Sequence, residues 1–447
     1  MTLSKALKKL NNKHIQSLAG NGAVAILSVV TYGILYRILP EADMGNWIFY
    51  QFAFIFLDSF RTGFLQTAVI KFYAGTEESR KAEVIGSCWY IALLITSLLA
   101  IPDFFAFFAL NEVMDGGVRL FIQWYAINLF LTLPFNVTFW ILQADQRFDR
   151  ILVLRLINQG SFILFVLAIL LFRNVNIETV IYLNLSSALL TSLVSIILAW
   201  SQLATLRNKT SDCVKKLFHF GKYSVGSYVF STLFRSSDAF IIKFMLGPAA
   251  LAVYNLPQRL MEVVEIPVRS FLANAIPEMS AAYNQNNSNK VIFIMKKYVG
   301  ILTMFLIPLI VVMVISADVL VALVGGSKYL NTESANVFRI IVVCSILFPL
   351  ERFPGITLDV IHKPQLNLVK VILSLLVNIV VDITAVKVFG NIYGVAFASV
   401  FTLLFGVYYG YVVLNRYLPF KVSGILKLGY LESRSLMTQF SKRKASS

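Results

Sequence analysis

LATLRNKTSDCVKKLFHFGK, residues 203–222, is the most polar connection in an otherwise apolar chain and lies almost at its middle. Six windows of about 20 mainly apolar residues, enough to cross about 30 Å of hydrocarbon, lie on each side of it. Those before it run near residues 15–39, 44–73, 83–110, 117–142, 150–172 and 177–204. Those after it run near 218–246, 249–280, 291–317, 335–361, 365–389 and 392–415. This predicts an all-α polytopic membrane protein of about twelve transmembrane helices. The expected segments are a basic amino-terminal stretch 1–14, an amino-terminal lobe 15–204, a linker 205–217, a carboxy-terminal lobe 218–415 and a basic tail 416–447. A membrane β-barrel is excluded, because its strands alternate over only about 10 residues.

Composition agrees. Of 447 residues, 58% are hydrophobic and 14% charged, and the mean hydropathy is +0.74. A soluble domain is about a quarter charged, so a soluble enzyme, a disordered chain and a secreted disulfide scaffold are all excluded. The net charge of +16 is carried mainly by alternate loops. The amino-terminal stretch, the loops around Arg80, Arg147–Arg150, Arg207–Lys222, Lys290–Lys297 and Lys363, and the tail hold about 25 basic residues, against about 5 in the intervening loops. Both termini are therefore expected in the cytoplasm, and the surplus reads as membrane topology with no nucleic-acid partner. In the tail, Leu426, Leu428, Leu431 and Leu436 are spaced for a helix on the inner leaflet, although a solvated tail is the favoured reading.

Catalytic and metal chemistry find no footing. Cys88, Cys213 and Cys344 are isolated, so neither a disulfide framework nor a zinc site is encoded. His14, His219 and His362 sit near the basic ends of spans, and GGSKY at Gly325 lacks phosphate-loop spacing. No enzyme, resident metal or cofactor is expected.

The informative residues are charges inside spans, each costing at least about 2.5 kcal/mol to insert unless it faces a bundle interior or wet cavity. Asp58 and Arg61 share a face of span two, and Arg235 and Asp238 a face of span seven. Span eight carries Arg259, Glu262, Glu265 and Arg269; span five carries Arg155, span ten Glu351 and Arg352, span eleven Lys370, Asn378 and Asp382. Several are spaced i,i+3 or i,i+4, so neutralisation within one helix stands beside substrate contact as an explanation. Arginine forks fit phosphate and carboxylate oxygens, which points to an anionic substrate. Candidate substrate-binding residues are Arg61, Arg155, Arg235, Arg259, Arg269, Arg352 and Lys370. Candidate proton or sodium couplers are Asp58, Asp238, Glu262, Glu265 and Asp382. Prolines at 134, 257, 267, 308, 349 and 354 offer bends.

A weak internal repeat supports two halves of like orientation. LYRILPEADMGNWIFYQF from Leu35 and IIKFMLGPAALAVYNLPQR from Ile241 each pass from a basic residue through a Leu/Pro connection to a small residue, Gly45 or Ala252, and then an aromatic, Trp47 or Tyr254. With Arg37, Leu39, Pro40, Glu41, Gly45 and Trp47, and with Lys243, Leu246, Gly247, Tyr254 and Arg259 in the second half, the chain resembles the polysaccharide-export branch of the MOP superfamily. These are Wzx-type flippases, related to MATE exporters and lipid II flippases. The resemblance covers the layout of residues 10–418. It implies two six-helix lobes around a central cavity, an undecaprenyl-pyrophosphate-linked oligosaccharide as substrate, membrane lipids as surroundings, and a polysaccharide polymerase and glycosyltransferases as partners in a bacterial inner membrane. The alternative is a MATE-like ion-coupled small-molecule antiporter.

Overall fold

The computed structural model describes residues 13–110, 115–171, 175–432 and 434. Helices make up nearly all of it, and no strand occurs among the described residues. They are α1 (Lys13–Ile38), α2 (Glu41–Tyr73), α3 (Glu78–Leu110), α4 (Gly116–Ala144), α5 (Phe148–Leu170), α6 (Ile177–Ile197) and α7 (Ser211–Met245). Then follow α8 (Pro248–Leu260), α9 (Glu262–Asn284), α10 (Ser288–Ile315), α11 (Ala317–Gly325), α12 (Ser334–Cys344), α13 (Phe348–Val360), α14 (Pro364–Phe389) and α15 (Ile392–Tyr417). Each of the twelve expected spans coincides with helix. The eighth is broken at Met261 and the tenth is assembled from α12, a short 3-10 turn and α13.

Among the described residues, eight helical segments are long and apolar enough to cross a membrane by length and composition alone. Helices α2, α7 and the α8–α9 pair are not among them, and these carry Asp58, Arg61, Arg235, Asp238, Arg259, Glu262, Glu265 and Arg269. Intramembrane charge lowers their hydropathy, so the deficit marks the polar helices of the fold.

By packing, the chain separates into two units. One extends to Ala239 and takes in Gly247–Ala252; the other comprises Phe240–Leu246 and the chain from Val253 onward. The boundary thus lies inside α7 and not at the polar connection 205–217, where the sequence placed a linker. That connection is folded onto the first unit. Residues Leu203–Asn208 form a 3-10 turn, the Trp89 indole donates to the Ser201 carbonyl at 2.9 Å, and Gly86 faces the Thr205 carbonyl with no room for a Cβ. Most of α7 then packs on α2 through Gly63 against the Tyr228 ring and Gly221 against Phe64. Absent side chains at both glycines permit close helix approach, which joins the seventh helix to the first six.

The first unit is built around apolar packing of α2, α3, α4 and the start of α7, with Leu65, Val69, Trp89, Val137, Trp140 and Leu217 all buried. Its α4 helix passes Pro134, which cannot donate to the preceding turn. Ser192 of α6 repairs the ladder there: its hydroxyl donates to the Leu131 carbonyl and accepts from the Phe135 N–H at 3.3 Å. Pro257 in α8 likewise removes the donor that the Val253 carbonyl would receive, and Ser334 Oγ of α12 supplies one at 2.8 Å. Both prolines are therefore stapled by a neighbouring serine. The two repeat-related connections meet within the first unit. Gly45 lies against the Pro248 carbonyl so closely that a Cβ would collide, and the Tyr36 hydroxyl donates to the Ala252 carbonyl at 3.4 Å.

In the second unit α14 begins at Pro364 and ends on Gly390 in the left-handed conformation, φ 65°, after which Asn391 caps α15 by accepting from the Tyr393 N–H at 3.1 Å. The tail also differs from the solvated reading. Residues 425–432 are helical and dock on α10, where Gly429 and Gly300 meet backbone to backbone; Ile425 is buried, and Lys297 lies 3.8 Å from Glu432. Leu436 lies outside the described residues. Introducing Gly429→Leu should lift this helix from α10, giving roughly tenfold faster tryptic cleavage at Lys427 because the freed segment opens locally; unchanged cleavage would show that the glycine contact does not hold it.

At the basic loop between α4 and α5, Arg147 grips Asp149 through two hydrogen bonds of 3.0 and 2.9 Å. The guanidinium holds that carboxyl below the usual carboxylate range.

Candidate charged sites in the two helical units

In the first unit Arg61 is wholly buried. Residues 58 and 61 lie one turn apart on α2, and their side chains pair at 2.5 Å. The two terminal guanidinium nitrogens also reach Thr96 Oγ1 of α3 at 3.1 Å, and the Leu129 carbonyl and Thr132 Oγ1 of α4 at 2.8 and 3.2 Å. Asp58 also accepts from the Thr62 hydroxyl at 3.0 Å and Asn136 at 3.5 Å. Arg61 therefore ties three helices together through its two terminal nitrogens, while its buried Nε has no hydrogen-bond partner among the described residues. Nothing of it faces solvent in this conformation.

The other candidate cations of this unit are separate. Arg155 stacks over the Phe139 ring at 5.0 Å, and Arg235 is exposed on α7. Its i,i+3 neighbour Asp238 is half-buried.

The second unit carries a connected ladder of charge. Lys370 Nζ of α14, nearly buried, donates to Glu351 Oε1 at 2.6 Å and to the Glu351 carbonyl at 2.5 Å. Glu351 Oε2 lies 3.5 Å from Arg352 Nε. Arg352 crosses from α13 to Glu265 of α9 at 2.8 Å, and Glu265 also lies 3.4 Å from Arg269. Exposure rises along the ladder: the side chains of Lys370, Arg352 and Arg269 are 5%, 40% and 68% accessible. Three cations against two carboxylates leave one net positive charge, and it is the accessible end that is rich in guanidinium.

Small residues make this arrangement fit. Cβ atoms added at Gly406 or Gly410 of α15 would press on the Glu351 side chain and on Pro354, and one at Gly355 on Asn367. The ion pair occupies the volume these glycines vacate. Below Lys370 the same face of α14 continues at intervals of four with Ser374, Asn378 and Asp382, all buried. Arg259 and Glu262 pair at 3.2 Å across the break at Met261.

Of the sequence candidates, then, the structure brings together Arg269, Arg352, Lys370 and Glu265; Asp382 shares the α14 face with Lys370. Arg61 with Asp58, Arg259 with Glu262, Arg155 and Arg235 are not part of this cluster. The i,i+3 and i,i+4 pairs foreseen at 58/61, 259/262 and 265/269 form, yet Glu265 lies nearer Arg352 of another helix than its own Arg269. Glu351, the hinge of the ladder, was visible in the sequence only as a charge between prolines, and spacing along one helix gave no sign that it would pair with Lys370 of α14 while its neighbour Arg352 reached α9. Thr96 and Thr132, which complete the Arg61 shell, carried no signal, because hydroxyls are common in membrane helices.

Comparison with known proteins places this geometry. Residues 11–283 match the family described as Polysaccharide biosynthesis protein, and residues 224–384 match MatE. A probable low-salt glycan biosynthesis flippase of Haloferax volcanii is 21% identical over 317 residues, 69% of this chain; the chain spans 62% of that relative's length. Among solved structures, a lipid II flippase MurJ in an inward closed conformation is similar with a TM-score of 0.74 at 14% identity, covering 96% of this chain and 93% of that one. An inward-facing MATE multidrug transporter of the MOP superfamily aligns with a TM-score of 0.70 at 16% identity, covering 90% of this chain and 96% of its own.

Proposed function

Because this chain belongs to the family described as Polysaccharide biosynthesis protein, we propose that it flips a polyprenyl-pyrophosphate-linked oligosaccharide, a polysaccharide repeat unit, across a bacterial inner membrane. The observation that carries the reading is the ladder in the second unit, with Arg352 and Arg269 accessible and sharing one carboxylate, Glu265. An arriving pyrophosphate offers several charge-assisted acceptors where Glu265 offers one carboxylate, so it competes for both guanidinium groups. The glycan head is too polar for hydrocarbon and needs a wet path, while the prenyl tail stays in lipid.

Alternating access of the two helical units would carry the head across, with both termini cytoplasmic by the loop charges. Asp382 on the buried α14 face, together with Asp238, Glu262 and Asp58, are the groups to test for proton or sodium coupling. Polymerase and glycosyltransferases are the expected neighbours in the pathway. The MATE-like antiporter remains the second reading, supported by the MatE match over 224–384.

The two separate in cells lacking the protein. Expression of the chain should restore surface glycan without changing resistance to cationic drugs; restored drug resistance with no glycan would favour the antiporter. A narrower expectation concerns Lys370→Met, which takes from Glu351 its nearer cation and leaves it only the longer 3.5 Å contact to Arg352, where breaking a buried pair costs about 3–5 kcal/mol. Its thermal midpoint in detergent should fall well below wild type, whereas Lys370→Met combined with Glu351→Leu should regain much of the loss.

A further inference from the structure

At the basic end of the first unit, where α2 finishes and α7 begins, Lys71, Phe72, Lys215, Lys216, His219 and Phe220 line an open, mainly apolar groove of about 440 Å³. Neither Lys71 nor Lys215 forms an ion pair among the described residues, while Lys216 is held 2.6 Å from Asp212. The floor is aromatic. Lys71 Nζ stands 4.4 Å over the Phe220 ring, and Phe72 meets Phe220 edge-on with centroids 5.8 Å apart. The same stretch of α7 turns Phe218 and Tyr223 outward, 53% and 68% exposed, at the level where aromatic side chains mark a lipid–water boundary.

A pocket with two uncompensated ammonium groups, a third shared with one carboxylate and an imidazole is matched to an anion. Its aromatic walls and its position at the boundary match an anion borne on a lipid. The geometry points to a binding site for the phosphate headgroup of a membrane lipid, either a resident anionic phospholipid or the prenyl pyrophosphate of the transported glycan. Lipid phosphates lie at this depth, and polybasic clusters at the basic face of membrane proteins are drawn to them by about 1 kcal/mol per residue. The site is remote in sequence from the charge ladder; a resident lipid there is independent of what the protein transports, whereas the prenyl pyrophosphate rests on the proposed function.

The test is equilibrium binding to the full-length purified protein, read by native mass spectrometry, of short-chain phosphatidylglycerol, short-chain phosphatidylcholine and farnesyl pyrophosphate. The triple variant Lys71→Ala, Lys215→Ala, Lys216→Ala is compared with wild type and with the remote surface variant Lys427→Ala, each checked for an unchanged thermal midpoint. If the triple variant melts early, charge-retaining arginines at the same positions serve as its counterpart and should bind as wild type does. Expected is at least tenfold weaker binding of phosphatidylglycerol or farnesyl pyrophosphate by the triple variant, no change in Lys427→Ala, and weakening with added salt. Selective loss of phosphatidylglycerol assigns a resident lipid, and selective loss of farnesyl pyrophosphate assigns the substrate's own head. Equal binding of phosphatidylcholine, or anion binding that the triple variant retains, overturns the site.

Discussion

Arg61→Ala is expected to destroy the folded first unit. The guanidinium loses contacts to Asp58, Thr96, Leu129 and Thr132 at once, and Asp58, 15% accessible, keeps its charge with only Thr62 and Asn136 to satisfy it. Breaking a buried pair by deleting one partner costs about 3–5 kcal/mol, a large part of the roughly 5–15 kcal/mol that separates folded from unfolded states in a typical domain. Lysine will not substitute, since one ammonium cannot span α2, α3 and α4 as the planar fork does. Monodisperse yield and thermal midpoint in detergent should both collapse. Replacing the pair together, Arg61→Met with Asp58→Leu, should recover a substantial part of the loss, because no uncompensated charge is left behind. If instead Arg61→Ala melts like wild type and only transport is lost, the side chain must face the substrate path in another conformation and its role here is misassigned.

The opposite pattern is expected for Arg269→Ala with Arg352→Ala. Both arginine side chains are accessible, and exposed ion pairs contribute about 0–1 kcal/mol to stability; Glu265, 18% accessible, loses both partners, so the double variant should purify and melt far closer to wild type than Arg61→Ala, and adding Glu265→Gln should remove the remaining difference. Transport should suffer most of all substitutions. Hydrogen bonds to charged groups are worth about 1.5–3 kcal/mol each, so losing two guanidinium contacts to a pyrophosphate predicts a fall of at least about a hundredfold in affinity. Flipping of a fluorescent prenyl-pyrophosphate glycan in proteoliposomes would read this directly. Glu265→Gln should act in the other direction on binding, because it withdraws the carboxylate that occupies both arginines; slower release then limits turnover. A double variant that flips at the wild-type rate would remove the ladder from the mechanism.

These two results would divide the intramembrane charges by role, which periodicity alone does not. On a helical wheel Asp58/Arg61 and Glu265/Arg269 look alike, each a carboxylate and an arginine about one turn apart. What separates them is the partner helices. Arg61 meets Thr96 and the Leu129 carbonyl and disappears into the unit, whereas Arg269 leans outward and leaves Glu265 to Arg352.

The linear chain by itself determined the fold class, the number and position of the spans, the likeness to the MOP superfamily and the residues that bear charge in the membrane. Hydrophobic span length and loop charge are local quantities, and the bilayer imposes both. Only the tertiary structure decided that α7 packs with the first six helices through Gly63 and Gly221, that residues 425–432 dock on α10 through Gly300, and that Glu351 links Lys370 to Arg352 while Arg61 is locked away. Helix-to-helix distance depends on which small residues face each other, and the partner of a buried charge depends on the helix opposite it. Neither is written in the spacing along one segment.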